Sequence, residues 1–417
     1  MTTTVHQLTK PTQPAQPTRI VILGGGFGGL SAARELERRL PRTSTVEITL
    51  VNRENFFLFT PMLHEVAASD LDLATIVSPL RRLLRRTRLF IGTVEDIDAD
   101  AQTVTVAHAG GQHRHDLPYD HLIVALGAVT NFYGIPGLAE RATTMKSLGD
   151  AIELRNQLIA QLEEADFECA SDVRGPLLTV LVAGGGFAGV ETVAAVNDFV
   201  REAVRFYPNI TQHDVRVVVV HPGSFLLPEL GEELGRYTQA RLAERGVEVV
   251  LNTKVSHFDG TRTVLSNGME LDARTVVWTA GISANPILDC IPCERSRGRL
   301  VVNEYLQSPD RPNVWAVGDC ASIADPATGQ TYPPTAQHAL REGACVARNI
   351  VAELSGKPKT AFSFSTIGLL AAIGRRTGVA NILGLKFSGF IAWWLWRTIY
   401  LAKLPRLEKK VRVALDW

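Results

Sequence analysis

Gly24, Gly26 and Gly29 lie in the run ILGGGFGGL, directly after the β-forming stretch Arg19–Leu23 and directly before a segment whose Leu30, Ala33 and Leu36 share one helical face. Strand, tight glycine turn and helix, in that order, are the context in which G-x-G-x-x-G holds a dinucleotide. Gly24 permits the turn, Gly26 lets a pyrophosphate approach the backbone, and Gly29 lets helix pack closely on strand. The helix N-terminus then offers unpaired N–H groups and a positive dipole end to the phosphates. One such run is a weak signal, because glycine turns also serve packing. This chain repeats it in TVLVAGGGFAGVETVAAV, where Gly184, Gly186 and Gly189 again stand between a β-branched strand (Thr179–Val182) and a helix. The repetition predicts an α/β chain with two Rossmann-like dinucleotide-binding domains, and two dinucleotides.

At 417 residues and 46% hydrophobic content, the chain has the length for two or three domains with large cores. In each unit an acid is expected at the end of the second strand, where it accepts from a ribose hydroxyl. The strand VEITLVN ends instead at Asn52, with Glu54 two residues on, and VRVVVVHPG ends at His221. No acid stands there to repel a 2′-phosphate, so NADH and NADPH both stay open. Downstream, LDARTVVWTAGI reads as a strand followed by Thr279, Ala280 and Gly281, and RPNVWAVGDCA as a strand ending in Gly318 and Asp319. An Asp at that place sits where α/β sheets bind ligands, suited to accept from the ribityl hydroxyls of a flavin. Two dinucleotide domains suit hydride transfer from NAD(P)H to FAD, and the sequence order puts FAD in the first.

Charge excludes other classes. The 43 basic and 43 acidic residues balance, so nothing global draws the chain to nucleic acid. The run RRLLRRTR (Arg81–Arg88) reads as a helix with a solvated basic face. His108, His113 and His115 fall in an expected hairpin loop, and no metal site is expected. Five scattered cysteines make no disulfide framework and fit a reducing cytoplasm; Cys290 and Cys293 of CIPC read as turn fillers beside Pro292. Residues 1–17 lack a basic start and an apolar core and read as a flexible tail. No run has the length of uninterrupted apolar residues that a spanning helix needs.

The succession GGGFGG, FLFTP, VALGA, GGGFAGVE, VWTAGI, VGDCA and TAQHALREG resembles the two-dinucleotide-binding-domain flavoproteins and, within them, the type II, non-proton-pumping NADH:quinone oxidoreductases. The likeness runs from about Arg19 to the C-terminus. It implies that Gly24, Gly26, Phe27, Gly28, Gly29, Asn52, Arg53, Val94, Ala125, Gly127, Gly318, Asp319, Ala336 and Gln337 surround FAD. It also implies that Gly184, Gly186, Phe187, Gly189, His221, Ala280 and Gly281 surround NADH or NADPH. In PPTAQHALREG, Ala336 and Gln337 match the motif that opens a helix facing the flavin, with Gln337 donating to a quinone carbonyl; Arg341 replaces the second glutamine. Glu191 matches the family's glutamate near nicotinamide and quinone, while the usual lysine of the segment after the quinone helix is Ile367 here. Glu191, Gln337 and Arg341 are the expected catalytic set.

The tail LKFSGFIAWWLWRTIYLAKLPRLEKKVRVALDW carries Trp393, Trp394 and Trp396 among Phe387, Phe390, Ile391 and Tyr400, with six basic residues from Arg397 to Arg412. Aromatics among cations, with an apolar stretch interrupted by Arg397, suit a helix lying in a membrane interface. The expected order is FAD domain 18–137, NAD(P)H domain 138–289, FAD domain again at 290–358, and a membrane-associating, dimerising segment at 359–417. The expected protein is a homodimer, peripheral on the cytoplasmic side of the cell membrane. NAD(P)H delivers hydride, leaves, and two electrons pass to a quinone. A flavin-dependent disulfide or sulfide oxidoreductase is the alternative enzyme, and an NAD(P)H-sensing flavoprotein the alternative without turnover.

Overall fold

The computed structural model describes residues 17–108 and 110–416. The tail expected over 1–17 lies, apart from Pro17, outside the described residues. By internal contacts the chain divides into two compact units. The first comprises the chain up to Asn55, Leu83–Gly127 and Pro286–Ser363; the second comprises Phe56–Arg82, Ala128–Asn285 and the chain from Phe364 onward.

The first unit is built on a five-stranded parallel sheet in the order Val314–Ala316, His121–Val124, Thr18–Leu23, Val46–Asn52, Arg88–Ile91. Ile20, Ile22, Leu23, Leu50, Ile123 and Trp315 are fully buried. Continuous burial of this kind explains why the strands read as apolar runs and not as alternating ones. Against the sheet lie the helix Phe27–Arg39 and the helix Ala336–Leu354, which pack on each other. Their approach is so close that a Cβ on Gly343 would overlap the carbonyl of Gly28.

A three-stranded antiparallel sheet, Thr93–Asp98, Thr103–His108 and His113–Pro118, belongs to the same unit. His108 pairs with His113 across the hairpin, so His113 and His115 stand on a strand and not in a loop; His108 and His115 share a 2.9 Å contact between Nε2 atoms. Among the described residues no group of side chains is arranged to hold a metal. The arginine run also departs from expectation. Its helix is a single turn, Leu80–Leu83. It stops because the Glu37 carboxylate takes the next backbone N–H groups, those of Arg85, Arg86 and Thr87.

The second unit repeats the plan, with parallel strands in the order Thr143–Thr144, Thr275–Trp278, Thr179–Ala183, Arg216–Val220, Val247–Val250. One face closes over Leu181, Val218, Phe258 and Trp278. The helix Leu148–Phe167 opens on a capping box between Ser147 and Asp150, the residue types that hold the first orphan N–H groups of a helix. The short helix Leu63–Ala67 packs on it and on the helix Phe187–Ala203, which is why residues 56–82 group with this unit although they precede the hairpin sheet of the first.

The C-terminal segment forms an antiparallel sheet, Gly368–Ala372, Gly378–Ile382 and Leu385–Ser388, then the helices Gly389–Lys403 and Leu407–Asp416. Gly378 admits the first of these helices closely, a Cβ there lying 2.8 Å from the Trp393 nitrogen.

Candidate active site

In the first unit the glycine turn sits at the C-terminal edge of the sheet. Gly24 takes φ +100°, and a Cβ on it would overlap the Ala125 carbonyl, while one on Gly29 would overlap the carbonyl of Gly24 itself. Gly26 differs, for a Cβ there meets nothing within 4 Å. The first and last glycines are therefore needed for packing, and the middle one faces open space ahead of the helix that starts at Phe27. That is the cradle a pyrophosphate needs.

Asn52 shapes the cradle. Its Oδ1 accepts from the Gly25 N–H at 2.8 Å and its Nδ2 donates to the Glu54 carbonyl at 2.8 Å. The side chain read as a ribose partner thus pins the glycine loop. Arg53 follows it, exposed, and Ala125 and Gly127 leave the neighbouring strand. Val94 stands apart, half-buried on the hairpin sheet.

Gly318 and Asp319 follow the edge strand in a tight turn, with Gly318 at φ +69°. The Gly318 N–H donates to Glu342 Oε2 at 2.7 Å. Desolvation, with Asp319 adding to it, pushes the Glu342 carboxyl up to about 7. Ala336 and Gln337 open the helix, as the motif implies. One turn on, Arg341 donates from Nη1 back to the Gln337 carbonyl at 2.8 Å, and burial draws its guanidinium pKa down.

The second unit repeats this geometry. Gly184 has φ +117°, and a Cβ on Gly189 would overlap its carbonyl. Gly186 is more open, its nearest neighbour being Glu229 Oε1 at 3.6 Å from a Cβ. His221 stands where Asn52 does, its Nδ1 accepting from the Gly185 N–H at 3.1 Å. An acceptor Nδ1 requires the neutral ring with its proton on Nε2, and burial favours that form by lowering the pKa. Phe187 opens the following helix, and Ala280 and Gly281 leave the adjacent strand end.

Glu191, on that helix, is buried at 8% exposure. Its Oε1 accepts from the Trp396 indole N–H at 2.9 Å and from the Ala372 backbone N–H at 3.2 Å. His64 Nδ1 lies 3.8 Å from Oε2. That is ion-pair distance, but burial pushes the carboxyl up to about 8 and the imidazole down to about 3. Burial thus favours a neutral carboxyl beside a neutral ring over an ion pair, because desolvation penalises both charged forms.

The site residues thus fall in two groups. Gln337 and Arg341 belong to the first unit with the Gly24 cradle and Asp319; Glu191 belongs to the second with the Gly184 cradle. Sequence reasoning missed His64, Ala372, Trp396 and Glu342. Glu342 was legible only as the acid beside Gly343, and Trp396 was hidden among tryptophans that all suggested a lipid surface.

Residues 18–343 match the pyridine nucleotide-disulphide oxidoreductase family, and residues 367–417 match the NDH2 C-terminal domain. Across 97% of this chain, and 88% of the relative, the sequence is 34% identical to the type II NADH:quinone oxidoreductase Ndh of Mycobacterium tuberculosis. The chain belongs to the type II NADH:quinone oxidoreductase family. Another member-like relative, the demethylphylloquinone reductase NdbB of Synechocystis, is 31% identical over 96% of this chain and 95% of its own. The fold agrees with the structure of NDH2 from Plasmodium falciparum in complex with NADH, at a TM-score of 0.89 and 20% identity, covering 96% of this chain and 97% of that one. In this chain the segment that matches the NDH2 C-terminal domain supplies the Ala372 N–H and the Trp396 indole to Glu191.

Proposed function

We propose that this type II NADH dehydrogenase holds FAD on the first cradle and NADH on the second, and reduces a quinone at a membrane surface. The observation that carries the reading is the duplicated cradle: packed glycines at both ends of each turn, and an open Gly26 and Gly186 between them. When bound, FAD supplies the hydride-accepting and two-electron chemistry. The chain supplies position and electrostatics. Backbone N–H groups at Phe27 and Phe187 would bind the phosphates and Asp319 would accept from ribityl hydroxyls, while Asn52 and His221 hold the glycine loops and Glu342 fixes Gly318. Gln337 donates to a quinone carbonyl, and Arg341, anchored on the Gln337 carbonyl, places a cation one turn away. Reducing a quinone to a quinol takes two electrons and two protons, of which hydride brings one proton. Glu191, whose burial favours its protonated form, is a group able to hold the other.

The membrane reading rests on the C-terminal helices. Phe390, Ile391 and Trp394 are 57%, 60% and 54% exposed. Leu407, Val411 and Leu415 form an exposed stripe at i, i+4 spacing, beside Arg406, Lys410 and Arg412. An apolar stripe bordered by cations suits a helix lying in the interface. Among the described residues no helix is long and apolar enough to cross a membrane. A cytoplasmic-side peripheral homodimer completes the reading, and light scattering of the purified protein tests the dimer.

A disulfide-reductase reading gains nothing from the cysteines. None is in a disulfide; burial raises the Cys293 thiol, and partial desolvation together with the Asp96 carboxylate raises that of the exposed Cys290, away from the reactive thiolate. Steady-state turnover with NADH against NADPH, and a short-chain quinone against oxygen, tests the proposal. The expected result is ping-pong kinetics with NADH and quinone; turnover with oxygen alone contradicts it.

A further inference from the structure

The helix Gly389–Lys403 has two unlike faces. Phe390, Ile391 and Trp394 point outward and are more than half exposed, while Ala392 and Trp396 are 0% and 1% exposed. The inward indole donates to Glu191 Oε1 at 2.9 Å, and the other donor to that oxygen, the Ala372 N–H, comes from the strand Gly368–Ala372 on which the helix packs. Both hydrogen bonds to the buried carboxyl therefore come from the C-terminal domain. Trp394 and Trp396 are two residues apart, about 3 Å along the axis of a stiff helix. A displacement of the outer face cannot leave the indole where it was.

Few other groups around Glu191 titrate. His64 faces the second carboxyl oxygen at 3.8 Å and packs against the Trp396 ring at 5.6 Å. Tyr400, from the same helix as Trp396, stacks edge-on against that indole at 4.8 Å, and burial and Glu191 raise its hydroxyl pKa. Arg397, beside Trp396, interacts with Glu65 and Asp70. Trp396 is thus the side chain that joins the lipid-facing helix to the carboxyl.

We propose that the helix Gly389–Lys403 couples membrane attachment to the active site: burial of Phe390, Ile391 and Trp394 in a lipid surface fixes Trp396, and its indole N–H fixes the carboxyl of Glu191. Trp396 is a positioning residue acting through Glu191. The coupling rests on the membrane reading given above.

The test uses the full-length, FAD-loaded protein with vesicles of mixed phosphatidylcholine and phosphatidylglycerol. The readouts are co-sedimentation and the pH midpoint of the infrared C=O band of the protonated carboxyl, assigned by its loss in Glu191→Gln. Vesicles are expected to shift the midpoint in the unmodified protein. In Trp396→Phe the midpoint rises by about one pH unit, as loss of one donor to a carboxylate implies. That variant still sediments with vesicles but no longer responds to them. Trp396→His, which keeps an N–H donor, restores part of the response. The double variant Phe390→Ser, Trp394→Ser leaves the interior intact, and loses both sedimentation and the shift. Sedimentation of the unmodified protein with an unshifted band, or a Trp396→Phe protein that responds as the unmodified one does, overturns the coupling alone. Failure of the unmodified protein to sediment removes the membrane reading and the coupling together.

Discussion

Burial decides the chemistry of the single side chains that matter most. Glu191 titrates at about 8 in the fold against 4.5 in an open chain, so its stability contribution is fully present below about 4.5 and is lost as pH rises through 8. His64 is the mirror case: its pKa falls from 6.5 to about 3, so its contribution is present above 6.5 and is lost as pH falls toward 3. Glu191→Gln should therefore flatten the alkaline limb of the stability curve, and His64→Asn the acid limb. Each effect is on the order of a few kcal/mol at the far end of its limb. Thermal unfolding between acid and mildly alkaline pH checks both, and curves parallel to that of the unmodified protein contradict the assignment. His221 gives a third case, since its Nδ1 must accept from Gly185. His221→Ala should weaken NADH binding about tenfold, the value of one hydrogen bond, with FAD content unchanged. His221→Asn, copying Asn52, should retain most of the affinity in a titration of the same protein.

Among the elements, the two strand–turn–helix units were the most legible in sequence, because the glycine spacing is itself a steric requirement. A Cβ on Gly29 or Gly189 overlaps the carbonyl of the first glycine of its own turn. Gly29→Ala should lose bound FAD, read from the flavin absorbance per chain. Gly189→Ala should keep FAD and lose its response to NADH. Loss of FAD in both would mean that the cradles do not divide the cofactors as argued. The helix Gly389–Lys403 was less legible for a physical reason. Its aromatic composition reads in sequence as a membrane-facing stretch, but only the fold turns Trp394 out and Trp396 in, toward Glu191. The arginine run failed differently: its helix periodicity was real, yet the Glu37 carboxylate captured the backbone N–H groups that a longer helix would have used.

Over the whole molecule, sequence order announced two Rossmann-like units, while their composition from separate segments was only partly legible. Return of the chain after the second cradle to the Gly318–Asp319 turn followed from strand and motif order. Grouping of residues 56–82 and of the C-terminal segment with the second unit did not, because it depends on packing of Leu63–Ala67 and of the sheet Gly368–Ser388 on helices distant in sequence. Those same distant contacts bring His64, Ala372 and Trp396 to Glu191, so the hidden part of the fold and the hidden part of the site have one cause. Anaerobic double-mixing stopped flow tests the central claim most directly. NADH should bleach the flavin absorbance of the FAD-loaded protein, and a short-chain quinone in the second mix should restore it at least as fast as steady-state turnover. Flavin that NADH does not bleach, or that only oxygen restores, would contradict the account.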